Sequence, residues 1–368
     1  MGLMKPPSEK AADLNVPPGW EEAAATLASK PGTCLVIGAM DCGKSSFCLY
    51  LVRRLCRSRK RTALVDCDVG QSTLGPPTAI GLKLFKSAPA TLDDIHPPFM
   101  AFVGSTSPEG HLLQALAGCK RMVERAAALS ADVTVVDTTG FVAGPAARAL
   151  KLQKAQLLAP NAVIGIQRGH EIEHLLTALE AQGASVIRLK SSPSARSRSI
   201  EERKRNREQR FHGYFANAKP VTLPFAQTPI GEFGPGMGVR LDDGTVRVLS
   251  AALGATVQYA ERRGGELFLI VAGSVSETAP ARLKADVKAD ALIIASATDY
   301  ENAVVALNDA QMNVLGLGVI RAFHPADGEA EVWAPGDVGK QTRSLTLGAA
   351  RILPSGEELP KGARFRFV

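Results

Sequence analysis

The chain has 368 residues, of which 45% are apolar and 21% charged, and its formal net charge is +7. This length fits two domains, or one large domain with an appendage, and the composition is that of an ordinary soluble globular protein, which excludes a disordered or fibrous chain. No apolar run approaches the roughly 20 residues needed to cross a bilayer.

The opening MGLMKPPSEK lacks the apolar core of a signal peptide, and Pro6 stands where a myristoylation signal needs Ser or Thr. A cytoplasmic protein without a membrane partner is expected. Cys34, Cys42, Cys48, Cys56, Cys67 and Cys119 show no C-x-x-C spacing and fall mostly in apolar segments, which predicts buried free thiols. The charge is uneven. Residues 1–218 carry 28 Lys and Arg against 19 Asp and Glu, whereas residues 219–368 carry 15 against 17. An anionic partner is therefore expected on the first part, where a solvated basic face is the plainer alternative.

In chain order, residues 1–19 are Pro-rich and polar and read as a loose tail, and residues 20–29 as a short helix. TCLVIG (33–38) reads as a buried strand and 44–58 as a helix. TALVDCD (62–68), PFMAFVGS (98–105), VTVVDTTG (133–140), NAVIGIQ (161–167) and SVIRL (185–189) read as further strands. Helical patterns near 109–129, 144–158 and 171–182 separate the later ones. Strands alternating with helices predict an α/β fold with a mainly parallel sheet flanked by helices. Residues 190–215 begin as a Ser-rich loop and become an Arg-rich helix. Beyond a boundary near Lys219–Pro220, GVRLDD, GTVRVLS, ELFLIVAG, ALIIAS, VLGLGVIRAF, EAEVWAP, SLTLGAARIL and ARFRFV read as short strands of a smaller β-rich domain. The expected division is thus a tail and short helix over 1–30, a phosphate-loop domain over 31–218, and a β-rich domain over 219–368.

GAMDCGKS, from Gly38 to Ser45, is G-x-x-x-x-G-K-S between a predicted strand and a predicted helix, the setting in which that pattern binds nucleotide. Gly38 and Gly43 let the backbone wrap phosphate, and Ala39, Met40, Asp41 and Cys42 complete the loop. Lys44 reaches the β- and γ-phosphates, Ser45 can ligate Mg²⁺, and Ser46 follows on the helix. Ligands in such folds bind at the carboxyl ends of the strands. Two strands end there in carboxylates: LVDCDVGQ with Asp66 and Asp68, and VVDTTGF with Asp137. One acid serves the metal, and a transfer to a hydroxyl also uses a base at the acceptor oxygen. Each could instead cap a turn.

DTTG also fits D-x-x-G, the γ-phosphate sensor of GTP switches. A GTPase reads guanine with Asn/Thr-Lys-x-Asp after the next strand, and GIQRGHE (165–171) contains none. That favours ATP, with GTP as the alternative. Arg203, Arg207 and Arg210 lie on one helical face at i, i+4, i+7, as a lid that neutralises a transferring phosphoryl group requires. A solvated charged helix or a simple nucleic-acid grip is the other reading. A kinase, a GTPase or ATPase switch, and an ATP-binding adaptor in nucleic-acid processing all stay open on these residues.

Four elements in order carry a resemblance: GAMDCGKS, DCDVGQSTLGPPTAIG (66–81), DTTGFVAG (137–144) and the Arg helix ending REQRFHGYF (207–215). Together they resemble the polynucleotide 5′-hydroxyl kinases related to the mRNA cleavage-factor and ribosomal-RNA-processing kinases. NVLGLGVIRAF and SLTLGAARILPSGEEL are similar to that family's closing β-domain. The resemblance implies ATP and Mg²⁺ as cofactors and RNA or DNA with a 5′-hydroxyl end as partner. It implies Asp68 as general base, Gln71 near the acceptor end, and Thr138, Thr139, Gly140 and Phe141 as a clasp for the terminal nucleotide. It also implies Arg203, Arg207 and Arg210 as lid arginines, and Ser45, Asp68 and Asp137 around the metal. The sequence departs from the family in three ways. Phe141 replaces a Trp, whose larger ring stacks better. Asp137 stands where relatives often have Asn. Only a short segment precedes Gly38, where eukaryotic members carry a β-domain.

Overall fold

The structure, a computed structural model, describes residues 16–231, 233–360 and 365–368. Most of the tail expected over 1–19 lies outside these residues. The chain forms two compact units, one reaching Arg207 and the other running from Glu208 to Val368.

In the first unit, α1 (Trp20–Ser29) leads into β1 (Gly32–Gly38), α2 (Lys44–Arg57), β2 (Thr62–Cys67), β3 (Ala79–Phe85) and β4 (Phe99–Phe102). Then follow α3 (Leu112–Ala128), β5 (Val133–Thr138), α4 (Pro145–Leu158), β6 (Ala162–Gln167), α5 (Glu173–Ala181) and β7 (Val186–Lys190). Helix α6 (Ile200–Phe215) carries the boundary between the units. The seven strands form one sheet in the order β4-β3-β2-β5-β1-β6-β7. Strands β2, β5, β1, β6 and β7 run parallel, while β3 and β4 are antiparallel additions.

Strands β2, β5 and β6 are buried throughout, because helices cover both faces of the sheet. Trp20, Phe47, Leu51 and Leu55 of α1 and α2 pack with Cys34 and Val36 on one face. On the other, Leu35, Ile37, Val65 and Val163 pack against Cys119, Leu150, Leu175 and Leu176 of α3, α4 and α5. All six cysteines are buried free thiols, as expected.

The parallel core matches the sequence expectation, but β3 was not anticipated. Its AIGLKLF follows Pro76 and Pro77 and holds a single β-branched residue, so neither alternation nor propensity marks it as a strand. Pairing with β2 on one side and β4 on the other supplies what propensity does not.

The second unit contains β8 (Ala218–Pro224), β9 (Val239–Arg240), α7 (Asp243–Leu253), β10 (Thr256–Arg263), β11 (Glu266–Ala272) and α8 (Ala279–Asp286). It continues through β12 (Ala291–Ala295), β13 (Ala303–Asn308), β14 (Val314–His324), β15 (Glu329–Pro335), β16 (Ser344–Arg351) and β17 (Arg366–Phe367). Two five-stranded sheets form, β17-β12-β11-β10-β9 and β16-β13-β14-β15-β8.

One sequence expectation is overturned here: GTVRVLS is helical, inside α7. Asp242 accepts the Thr245 N–H at 3.0 Å as an N-cap, and Gly254 in the left-handed region ends the helix. The caps override the β-propensity of Thr245, Val246 and Val248. Strands β8, β10 and β13 and helix α8 also went unpredicted. The end of α6 belongs to this unit: Phe211 and Tyr214 are buried, and the Leu317 N–H donates to the Tyr214 hydroxyl at 2.8 Å.

Candidate functional site

The strand register sets the site. Asp137 lies beside Asp66 across β5 and β2, and beside Val36 across β5 and β1. The carboxyl ends of the three central strands therefore present their acids and the phosphate loop at one edge of the sheet. Gly43, at φ 93°, turns the loop into α2, and no side chain caps that helix. Its first N–H groups stay aimed into the loop, where an anion can take them. The loop is also pressed against the end of β5: a Cβ on Gly140 would sit 2.4 Å from Met40 Cγ and 2.7 Å from its Cα. Only glycine permits that approach.

Lys44 is buried and its Nζ donates to Ala39 O at 2.7 Å. Ser45 Oγ donates to Asp137 Oδ2 at 2.9 Å. Asp137 Oδ1 is buried without a hydrogen-bond partner. Burial pushes the Asp137 carboxyl up to about 6, against the pull of Lys44. A hard oxygen left unpaired next to a serine hydroxyl suits a divalent cation. Among the described residues, no cluster of three or more His, Cys, Asp or Glu could hold a metal by itself. An ion here would share its shell with phosphate oxygens and water, as Mg²⁺ does in phosphate-loop sites.

The acids of D-C-D diverge. Asp66 Oδ1 accepts from Asp68 N–H, and Oδ2 from Thr73 and Leu74 N–H at 2.5 and 2.9 Å. It is consumed in folding the loop that follows β2. Burial, then Asp137 and Asp68, push its carboxyl up to about 7. Asp68 is half-buried. Its Oδ1 accepts from Gly70 and Gln71 N–H, and its Oδ2 has no hydrogen-bond partner among the described residues. Gln71 Nε2 donates to Gly70 O and, at 3.0 Å, to Arg203 O on the lid helix, while its Oε1 is buried without a partner.

Thr138, of the TTGF stretch, is fully buried. Its hydroxyl donates to Val36 O at 2.7 Å and accepts from Lys151 Nζ at 2.8 Å. Lys151 also donates to Thr139 O at 2.7 Å. These threonines are held from inside the fold, whereas Gly140 lies half-buried against Met40 of the loop and Phe141 half-buried against the core. Arg203 is seated at the phosphate loop, its Nη2 2.6 Å from Asp41 Oδ2. Arg207 closes the first unit and Arg210 falls in the second.

Two residues beneath or beside the site were missed in the sequence. Lys151 is wholly buried, and burial drives it well below the usual lysine range. Its position was legible: Ala147, Leu150, Lys151, Lys154, Ala155 and Leu158 follow the buried face of α4 at helical spacing, so two lysines had to point inward. Arg168, just beyond β6, donates from Nη2 to Asp41 O at 2.5 Å. No sequence motif marks it.

Residues 38–217 match the family model of the mRNA cleavage and polyadenylation factor CLP1 P-loop. A polyribonucleotide 5′-hydroxyl-kinase of Thermococcus kodakarensis is 30% identical over 334 residues, which cover 90% of this chain and 91% of that relative. One from Methanocaldococcus jannaschii is 27% identical over 90% of each chain. The polyribonucleotide 5′-hydroxyl-kinase Clp1 of Xenopus tropicalis is 28% identical over 52% of this chain and 46% of its own length. Among solved structures, a chain of the wild-type Clp1p–Pcf11p complex shares the fold with a TM-score of 0.53, covering 90% of this chain and 77% of that one at 11% identity. The match to the archaeal kinases over about nine-tenths of both chains, together with the P-loop model, places the chain in the CLP1-type polyribonucleotide 5′-hydroxyl-kinase family.

Proposed function

We propose that the protein transfers the γ-phosphate of ATP to the 5′-hydroxyl of RNA. The observation that carries this reading is the division of labour among three acids at one sheet edge. Asp137 pairs with Ser45 on the phosphate-loop side. Asp66 is spent on folding its loop. Asp68 holds that loop with one oxygen and keeps the other for an acceptor. A nucleotide switch that transfers phosphate to water has no use for a third acid that holds the loop whose Gln71 grips the lid backbone. The archaeal relatives named as polyribonucleotide 5′-hydroxyl-kinases match across both units, which favours RNA as acceptor.

The residues then take these roles. The loop N–H groups, the start of α2 and Lys44 bind the triphosphate. Ser45 and Asp137 would hold Mg²⁺, which neutralises phosphate charge when bound. Asp68 Oδ2 accepts the proton of the 5′-hydroxyl as its oxygen bonds to the γ-phosphorus and the bond to the bridging oxygen of the departing ADP breaks. Gln71 Oε1, buried and unpaired, supplies an acceptor for a hydroxyl of the entering end. Gly140 and Phe141 border the place of the terminal nucleotide, and the Phe141 ring can stack on a base. The excess of cations in residues 1–218 serves the phosphate backbone.

Labelled transfer from ATP to a 5′-hydroxyl oligoribonucleotide tests this reading. Asp68→Asn should bind ATP normally and lose about 10²–10⁴-fold in transfer, the range of general-base loss. Label appearing only in inorganic phosphate would overturn the kinase reading. Near-normal transfer by Asp68→Asn would remove Asp68 as base.

A further inference from the structure

The lid helix reaches the phosphate loop through one side chain of the loop itself. Asp41 Oδ2 accepts from the Arg203 guanidinium at 2.6 Å and from Arg198 N–H at 2.9 Å, so it holds both the start of α6 and the segment leading into it. From below, Arg168 Nη2 donates to Asp41 O, and Ser191 Oγ donates to Cys42 O at 2.9 Å. Gln71 Nε2 grips the backbone of the same lid residue, at Arg203 O. The pair is largely enclosed, with side-chain exposures of 19% for Arg203 and 12% for Asp41. Asp41 sits at φ 55°, in the left-handed region that Asp and Asn tolerate better than most residues. Burial opposes its charge, but the Arg198 N–H and the Arg203 guanidinium outweigh it and hold the carboxyl below its usual range.

We propose that Asp41 is the latch of the lid, a positioning residue that anchors Arg203 over the phosphate loop, and that Arg203 is a strut rather than an arginine that contacts the transferring phosphoryl group. Its guanidinium is turned to the loop carboxylate, and its carbonyl is tied to the acceptor loop through Gln71. Arg203 therefore couples the donor and acceptor halves by where it stands. An arginine serving the γ-phosphate would have to give up this ion pair, and the lid would lose its hold on the loop at the moment water must be excluded. The inference rests on the proposed kinase activity only for its consequence in turnover. The latch itself is a property of the fold.

The decisive variant is Asp41→Asn, which keeps the shape and the tolerance of positive φ and removes only the charge. Arg203→Met does the same from the other side, keeping an unbranched apolar stem. Limited trypsinolysis of the full chain without nucleotide, followed by mass spectrometry, reads opening of the segment around Arg196 and Arg198. Loss of a charged hydrogen-bonded pair should speed cleavage there by about tenfold in either variant, with cleavage elsewhere and the melting temperature unchanged. The double variant should open no further than either single one, because both remove the same contact. Cleavage at the wild-type rate in Asp41→Asn, or additive effects in the double variant, would overturn the latch. A kinetic split separates strut from phosphate contact: with the latch gone, a larger share of ATP turnover should go to water, and Arg203→Met should match Asp41→Asn in that ratio. If Arg203→Met loses transfer by orders of magnitude while Asp41→Asn does not, Arg203 acts on the phosphoryl group and the proposal falls. A protein that shows no transfer in any form but still shows the non-additive lid opening would fail as a kinase and keep its latch.

Discussion

Asp137 at the end of β5 and Glu261 within β10 are both carboxylates no more than 4% exposed, one in each unit, and their surroundings could hardly differ more. Glu261 is fully provided for. Its oxygens accept from Gly236 and Met237 N–H, from the Tyr259 hydroxyl at 2.7 Å and from Arg263 Nε at 2.6 Å, and Arg263 in turn lies over the Phe268 ring. Asp137 has one serine hydroxyl on Oδ2 and nothing on Oδ1. A buried charge that the fold needs is surrounded by donors, because each missing one costs stability. A buried acid left half-paired is tolerated where something outside the protein completes it. The contrast supports the role proposed for Asp137 without reference to any relative.

The sharpest way to break this contrast is to neutralise each acid in turn. Asp137→Asn should lower phosphoryl transfer by about 10²–10³-fold, as loss of a metal-positioning charge does. Measured without nucleotide at pH 8, its melting temperature should equal or exceed that of the wild type, since the variant removes a poorly compensated buried charge. A large loss of stability would mean Asp137 is structural, like Glu261, and would take away the argument for a cation at Ser45.

Glu261→Gln should do the reverse. Breaking a buried ion pair while leaving Arg263 in place costs about 3–5 kcal/mol. In a unit of this size, that lowers the melting temperature by on the order of 10 °C. Transfer per folded molecule at 25 °C should be unchanged. A selective loss of transfer with no thermal effect would show that the second unit's core polar network serves the reaction and not the fold.

The same contrast explains what could be read from the sequence. The phosphate loop, the presence of acids at the ends of β2 and β5 and the parallel core were legible because each rests on local pattern: glycine spacing, an apolar run ending in an acid, a helix period. Which of the two acids in D-C-D was free was not legible. That choice depends on the backbone of Thr73 and Leu74 folding back onto Asp66, a contact that spacing alone does not report. The threonines of TTGF read as part of a clasp for the terminal nucleotide, and the sequence did not show that Lys151 of α4 holds them from inside the fold. In the second unit, one cap at Asp242 turned a β-rich stretch into a helix, and β8, β10 and β13 carry no local mark of their pairing. Pairing across distant strands decides such a domain, and no local window contains it.

The smallest effect, and the finest test of the half-paired acids, is the pH dependence of stability. The folded-state values of Asp66 and Asp137, about 7 and about 6, both lie above those of the unfolded chain, so the folded protein binds protons more tightly. Their contribution to stability is fully present below the unfolded carboxylate range and is lost as pH rises through about 6 to 7. Each proton can contribute a slope of at most about 1.4 kcal/mol per pH unit. Without nucleotide, thermal stability should therefore fall between pH 5 and pH 8. Asp66→Asn should flatten that fall whatever its own absolute stability, because it removes the group that titrates highest. The three N–H donors on Asp66 pull the other way, toward the charged form. If Asp66→Asn leaves the slope unchanged, those donors prevail over burial and the repulsion of Asp137. Asp66 would then join Glu261 as a satisfied structural charge, leaving Asp137 as the half-paired acid of the site.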